Sequence, residues 1–331
     1  LRAFGNGFAG SATPVPVEGD ADVGLIFFEE DVLPAEALAH VRAYRLIIAG
    51  SSWNARVLRA HGLTNVAYVI QGVDTSVFHP GPRTGLLADR FVILSGGKLE
   101  HRKGQDIVVA AFREFHRRHP EALLVHAWHN AWPQTAMEIA RRGLVDGPPP
   151  LRDGRLDIAT WLATNGIPAD AHLEVPPLPN AQLGPVYRDA DVAVFPNRCE
   201  GGTNLVAMEC IASGVPVIVS DATGQADLAA IPGVHALAAP PLPDEAERAT
   251  GRRDWGEVRV ADVVEALEAV HADRRAARDR ARQAARWMAA RDWGTQMAVV
   301  LDAVEAAAVN PPAAGADTDR RQPALRAAGD A

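Results

Sequence analysis

The chain has 331 residues, 48% of them hydrophobic and 22% charged, a mix that excludes a fibre, a collagen-like chain or wholesale disorder and predicts about two domains. Its 33 basic against 41 acidic residues give a net charge of −8, which excludes nucleic-acid backbone binding as the main activity. The two cysteines, Cys199 and Cys210, offer neither a disulfide framework nor a zinc-ligand spacing, and neither an apolar run of about 18 residues nor a basic-then-apolar N-terminus is legible, so the expectation is a cytoplasmic protein, free or peripheral to a membrane, with no integral membrane segment.

From the N-terminus, short β-branched runs alternate with longer helical patterns, the mark of βαβ units and an α/β fold with parallel sheets. Strands are expected at residues 24–29, 45–49 and 65–70, with helices at 34–43 and 51–61; Ser51 suits the N-cap of the second helix and Gly62 its end. Pro80, Gly81, Pro82 and Gly85 then break the pattern, which sets a boundary between residues 1–80 and a second unit at 81–259. About 80 residues are too few for a complete Rossmann-like domain, and the chain starts at Leu1, so the N-terminal unit is expected to be incomplete, with sequence missing upstream. In the second unit, strands are expected at 91–95, 123–128, 172–175, 192–196, 216–220 and 234–238, with helices at 105–119, 132–142, 158–165, 181–190 and 204–213, a series that suits a doubly wound sheet. Alanine- and arginine-rich helices fill 260–309, broken near Asp292, and should clothe the domains rather than form a third core. Residues 310–331 are rich in proline, alanine, glycine and charge, and are expected to be a disordered tail because ordering them would cost entropy without burial to offset it.

Two segments carry chemistry. Residues 95–104 read SGGKLEHRKG between a predicted strand and a predicted helix, where glycines let the backbone approach a ligand and Lys98 and Lys103 could meet a diphosphate; the alternative is a pair of solvated surface lysines. The run is neither a Walker A loop nor GxGxxG. Residues 196–218 read PNRCEGGTNLVAMECIASGVPVI, in which Gly201 and Gly202 precede Thr203 or Asn204 as an N-cap and then an apolar helix, so that a helix N-terminus faces the strand ends and suits an anion. Glu209 has apolar helical neighbours on every side and, once buried, needs a partner: ligand hydroxyls, or else an internal backbone or arginine bond.

The run from Glu200 to Ile218 resembles the signature of the retaining glycosyltransferases of family 4, the glycogen-synthase-like enzymes of GT-B fold. Gly97, Lys98 and Leu99 with Lys103 and Gly104 resemble that family's glycine-arginine-leucine and lysine-glycine pair, and Gln71, Gly72, Val73 and Asp74 with Phe78, His79 and Pro80 resemble its interdomain stretch; the likeness runs from about Gly24 to Leu301. It implies two Rossmann-like domains facing a cleft, a nucleotide-diphosphate sugar as donor substrate rather than a cofactor, an acceptor hydroxyl on a glycan, lipid or protein, retention of configuration by front-face attack, and no essential metal. It further implies that Lys98, standing where arginine is usual, and Lys103 hold the diphosphate, that Glu209 binds the ribose, that Glu200 meets the donor sugar, and that Gly97, Gly202, Thr203, Asn204 and Leu205 line the donor site. The catalytic set would then be Glu200, Lys98 and Lys103.

One departure stands out: the family separates its two glutamates by seven residues, whereas eight lie between Glu200 and Glu209, and counting back eight positions from Glu209 lands on Gly201. Either the loop bulges so that Glu200 still meets the sugar, or that role has moved. His126 and His129 are expected to pack or face solvent, Asp189 and Asp191 to end a helix, and the arginines at 274, 275, 278, 280 and 282 to form a solvated helix face; no clustered His, Cys, Asp or Glu set reads as a metal site. Two rival functions are a nucleotide-sugar-binding module without turnover, motivated by the short N-terminal unit, and a sugar-nucleotide epimerase of the same fold, which would lack the glutamate-bearing signature.

Overall fold

The computed structural model of the chain describes residues 1–3 and 22–309, so the tail expected at 310–331 lies outside the described residues. A first parallel sheet runs in the order β1 (Arg2–Ala3), β2 (Val23–Ile26), β3 (Leu46–Ala49), β4 (Val66–Tyr68), with α1 (Ala35–Arg42) and α2 (Ser52–Ala60) as its crossovers. Successive side chains on a strand point to opposite faces, and the sequence obeys that period. Ile26, Ile47, Ala49 and Val66 pack with Trp53, Val57 and Leu58 of α2 on one face, while Val23, Leu46 and Ile48 lie on the other. Ser51 caps α2 by accepting the Asn54 N–H at 3.1 Å, and Gly62 closes it with φ +82°.

The second unit contains β5 (Phe91–Gly96), α3 (Gln105–His116), β6 (Ala122–Ala127), a hairpin of β7 (Leu151–Arg152) and β8 (Arg155–Leu156), α4 (Ile158–Thr164), β9 (His172–Glu174) and α5 (Leu183–Arg188). It continues through β10 (Val192–Phe195), α6 (Leu205–Ala212), β11 (Val217–Asp221), α7 (Ala226–Ala229), β12 (His235–Ala238) and α8 (Glu245–Ala249). Its six-stranded parallel sheet has the order β12-β11-β10-β5-β6-β9. Counted along the chain this is 3-2-1-4-5-6 read from the far edge, the doubly wound order, with its direction of winding reversing between β5 and β10. Phe91, Ile93, Val192, Val194 and Ile218 face one core with α3, whereas Val92, Leu94, Ala193, Phe195, Val217 and Val219 face the other with α6. Both faces are covered, which is why these strands read as unbroken apolar runs.

Residues 132–142 depart from the helix expected there: only a 3₁₀ turn forms at Pro133–Ala136. Local side-chain bonds compete with the helix, because Asn130 Oδ1 accepts the Trp132 N–H at 2.9 Å and the Thr135 hydroxyl donates to the Trp132 carbonyl at 3.0 Å. The β7–β8 hairpin turns on Asp153 and Gly154, both at positive φ, the Asp-Gly pairing that two-residue hairpin turns favour.

Three helices follow. Val263, Leu267 and Val270 of α9 (Val260–Ala272) pack beside α3, and Ala284 and Met288 of α10 (Arg274–Ala289) pack beside α6. The chain then returns to the first unit, where Val300 and Ala307 of α11 (Trp293–Val309) cover the face bearing Val23, Leu46 and Ile48. On the way it runs beside the outgoing connection: the Val73 N–H donates to the Arg291 carbonyl at 3.1 Å and the Trp293 N–H to the Val73 carbonyl at 3.2 Å.

Candidate active site

The reversal between β5 and β10 opens a crevice at their carboxyl ends, since α3 leaves on one face of the sheet and α6 on the other. Gly96 and Gly97 end β5 there. A Cβ on Gly96 would lie 3.0 Å from Val206 of α6, and Gly97 takes φ +115°, so the glycine pair lets the loop turn close under that helix. Lys98 follows with its carbonyl held by Gln105 Nε2 at 2.7 Å. Its side chain is 44% exposed, 3.6 Å from Glu100 and 5.0 Å from the centroid of the Trp132 ring. Gly104, in the left-handed conformation, packs where any Cβ would collide with the Pro196 carbonyl, which brings Lys103 against the end of β10.

The loop after β10 is stitched to that turn. Arg198 and Cys199 both donate their N–H to the Arg102 carbonyl, at 2.8 and 3.1 Å. Glu200 therefore lands beside Lys103, with which it forms a direct ion pair through Oε1, the oxygen to which Asn197 Nδ2 also donates, while Arg102 Nη1 reaches the other oxygen at 3.1 Å. Glu200 is only 5% exposed. Burial would raise its pKa, yet the charges of Lys103 and then Arg102 hold it below the usual carboxylate range. The backbone is pinned too: the Glu200 N–H donates to Thr223 Oγ1 at 2.8 Å and its carbonyl accepts from Gly224 N at 2.9 Å. The eight-residue spacing is thus taken up with Glu200 turned toward Lys103 and Arg102.

Gly202, Thr203 and Asn204 lead into α6. Asn204 sits at φ +66°, accepts the Ala207 N–H at 3.4 Å and donates to Gln225 Oε1 at 3.1 Å, so it is the N-cap; Thr203 is buried and bonds to Met208. Leu205 opens the helix, whose positive end faces the crevice. One turn on, Glu209 is 6% exposed and accepts from the Tyr187 hydroxyl at 3.3 Å. Burial pushes its pKa up to about 7, with that hydroxyl pulling the other way. The structure therefore brings Lys103 and Glu200 into contact, connects Lys98 to them through Glu100 and Arg102, and sets Glu209 apart with Tyr187.

The first unit forms the far wall. Ser51 Oγ donates to the Gly201 carbonyl at 2.6 Å, the Ser52 N–H to Asp227 at 2.9 Å, and the Trp255 indole to the Glu29 carbonyl at 2.6 Å. A Cβ on Gly202 would lie 3.0 Å from the Phe27 ring, which also fills the space over Gly50. Beside Arg102 a cavity of about 480 Å³ is lined by both units, including Phe28, Glu29, Glu100, Arg252 and Trp255.

Residues singled out less strongly fall into structural roles. Asp189 bonds to Thr84, and Asp191 pairs with Arg83 at 2.9 Å and Arg278 at 3.1 Å. His129 donates to the Val175 carbonyl at 2.7 Å, and His126 is buried between Trp128 and His172. Sequence reading missed Arg102, which lay unused within the quoted lysine segment, and Tyr187, Thr223 and Asn197, for which spacing gives no signal. It also missed a His119, Glu121 and His271 cluster, whose members are scattered along the chain.

Residues 51–300 match the family model described as family 4 glycosyltransferase in conflict systems. A D-inositol 3-phosphate glycosyltransferase of Acidothermus cellulolyticus is 33% identical over 165 residues, 48% of this chain and 34% of the relative. A GDP-mannose-dependent α-(1-6)-phosphatidylinositol monomannoside mannosyltransferase of Mycolicibacterium smegmatis is 30% identical over 168 residues, 46% of this chain and 37% of the relative. The matched segments thus span about a third of those relatives. Sucrose-phosphate synthase of Thermosynechococcus elongatus superposes with a TM-score of 0.63 at 20% identity, covering 87% of this chain and 68% of that one, and its likeness shows the fold to be GT-B. No helix among the described residues is long and apolar enough to cross a membrane.

Proposed function

Because this chain belongs to the family 4 glycosyltransferases of conflict systems, we propose that it transfers a sugar, with retention of configuration, from a nucleotide-diphosphate sugar to an acceptor hydroxyl. The observation that carries the reading is the meeting of Lys103 and Glu200 at the winding reversal, beside the N-terminus of α6. As the bond from the sugar's anomeric carbon to the diphosphate breaks, negative charge grows on the leaving group; Lys103, Lys98 and the first turn of α6 are suited to stabilise it. Glu200 holds Lys103 until the diphosphate takes over that cation. The acceptor oxygen bonds to the same carbon on the face the diphosphate leaves, and its proton departs with the diphosphate. Gly97 and Gly202 let the donor approach, and Thr203, Asn204 and Leu205 form the phosphate-facing turn. Glu209 accepts from the ribose hydroxyls. The step needs no metal.

The relatives' names support a nucleotide-sugar donor, one of them specifying GDP-mannose, and they favour a transferase over a binding module without turnover. The cavity beside Arg102 is suited to the acceptor, a glycan, lipid or protein. Cys199 and Cys210 are free and buried, which supports a reducing, cytoplasmic setting. The test is calorimetric titration of the chain with UDP, GDP and ADP, followed by mass spectrometry of products from the matching nucleotide sugars. At least one diphosphate should bind, and Lys103→Ala should weaken it by about 1–3 kcal/mol through loss of a charge-assisted bond. Binding by none of the three, or equal binding by the variant, would remove this site.

A further inference from the structure

At the opposite end of β5 and β6 from the crevice, three elements bring together side chains that nothing in the transfer reaction uses. His119 follows α3, Glu121 precedes β6, and His271 lies on the last turn of α9. Their donor atoms all fall within 4.8 Å of one another. His271 Nε2 is 2.8 Å from Glu121 Oε1, and His119 Nδ1 is 3.8 Å from the same oxygen. A tetrahedral ion with bonds of about 2.0–2.2 Å needs donors roughly 3.3–3.6 Å apart; the two nitrogen-to-oxygen separations lie on either side of that range, and the two imidazole rings, 4.0 Å apart between centroids, must spread to converge on one ion.

The surroundings supply what such a site needs beyond its ligands. His119 Nε2 is 2.8 Å from Glu268, which is itself held by Arg118 at 2.9 Å. A proton donated to Glu268 sits on Nε2 and leaves Nδ1 as an acceptor, 3.8 Å from the Glu121 carboxylate oxygen. The rings are also fixed from behind, since His271 stands edge-on to Phe91 at 4.9 Å between centroids and His119 packs on Phe115 at 4.4 Å. Both histidines are partly exposed, so water can complete the shell.

We propose that His119, Glu121 and His271 bind a divalent transition-metal ion, with zinc the ion their nitrogen and oxygen donors suit best, and that Glu268 positions His119. The ion fastens α9 to the loop joining α3 and β6, clamping the first C-terminal helix to the second sheet from the side remote from the donor site. The ligands lie up to about 150 residues apart in sequence, which hides the set from any spacing pattern.

The experiment strips the 331-residue chain with EDTA, dialyses the chelator away, and titrates it with zinc chloride by calorimetry, with magnesium chloride as the control. Zinc should bind at about one ion per chain and raise the melting temperature, whereas magnesium should do neither. His119→Ala and His271→Ala should abolish that heat, and Glu268→Gln should weaken it about 10–100-fold as expected for the partner of a metal-bound histidine. Cobalt(II) titration, read by visible d–d absorption, gives an independent signature, and His119→Asn serves if the alanine variant fails to fold. No zinc heat, meaning a hydrogen-bonded ion-pair network only, overturns the proposal. So does undiminished binding in folded His119 and His271 variants, which would put the metal elsewhere.

Discussion

At Glu209, a single carboxyl couples folding and ligand binding to pH with opposite signs. Its pKa is about 7 in the folded chain against an ordinary 4.5, so the folded state keeps the proton that the unfolded state has released. That contribution to stability is complete below about pH 4.5 and is lost as the pH rises through about 7. Donor binding runs the other way if the ionised carboxylate accepts the ribose hydroxyls. The melting temperature of the free protein should fall, relative to Glu209→Gln, between pH 5 and 8, whereas nucleoside-diphosphate affinity of the native chain should rise over the same range. The variant should fold, bind more weakly at pH 8, and lose the pH dependence of binding; parallel affinity profiles for the two proteins would exclude ribose recognition by this residue. The need of Glu209 for a partner was readable from its wholly apolar neighbours. That Tyr187 supplies one was not, because the two meet only across the packing of α5 on α6.

On the scale of one element, α6 depends on how it starts. Asn204 combines an N-cap with φ +66°, a backbone region where asparagine and glycine are tolerated and alanine is strained. Asn204→Ala should therefore cost about 2–3 kcal/mol in denaturant unfolding, the sum of a lost cap and a strained residue, while Asn204→Gly should cost less because only the cap and the Gln225 bond disappear. Equal losses would show that the conformation contributes nothing. Elements of this kind were legible wherever a strand or helix has a clear period: β5 and β10 alternate between two cores, and α2 carries its Ser51 cap. Legibility failed at 132–142, where Asn130 and Thr135 bind the backbone in place of a helix, since a hydrophobic period does not report such competition. It also missed the short β7–β8 hairpin although Asp153 and Gly154 announced it. The lysine segment and the two glutamates could be found by motif, but the turning of Glu200 onto Lys103 and Arg102 follows from tertiary bonds to Thr223 and Gly224.

For the molecule as a whole, the two units touch through bonds from α2 with its cap and from residues 29–31, notably Ser52 with Asp227, a carboxyl whose pKa burial raises and the Ser52 bonds pull back. Asp227→Ala should leave each core intact but increase amide hydrogen exchange in the first turn of α2 and around Gly201; unchanged exchange would mean that the contact contributes little to closure. The second fastening is of another kind. Among the described residues the chain passes between the sheets at 69–90 and again at 290–293, and Val73 hydrogen-bonds to both Arg291 and Trp293 where the passages run together. A Cβ on Gly72 would sit 2.6 Å from the Trp293 backbone, so there is no slack between them. Two tethers joined at one point resist pulling apart yet permit rotation, like the pin of a door. Separation of the walls is then an angle rather than a distance, and residue displacement should grow with spatial distance from Val73 whatever the distance along the sequence.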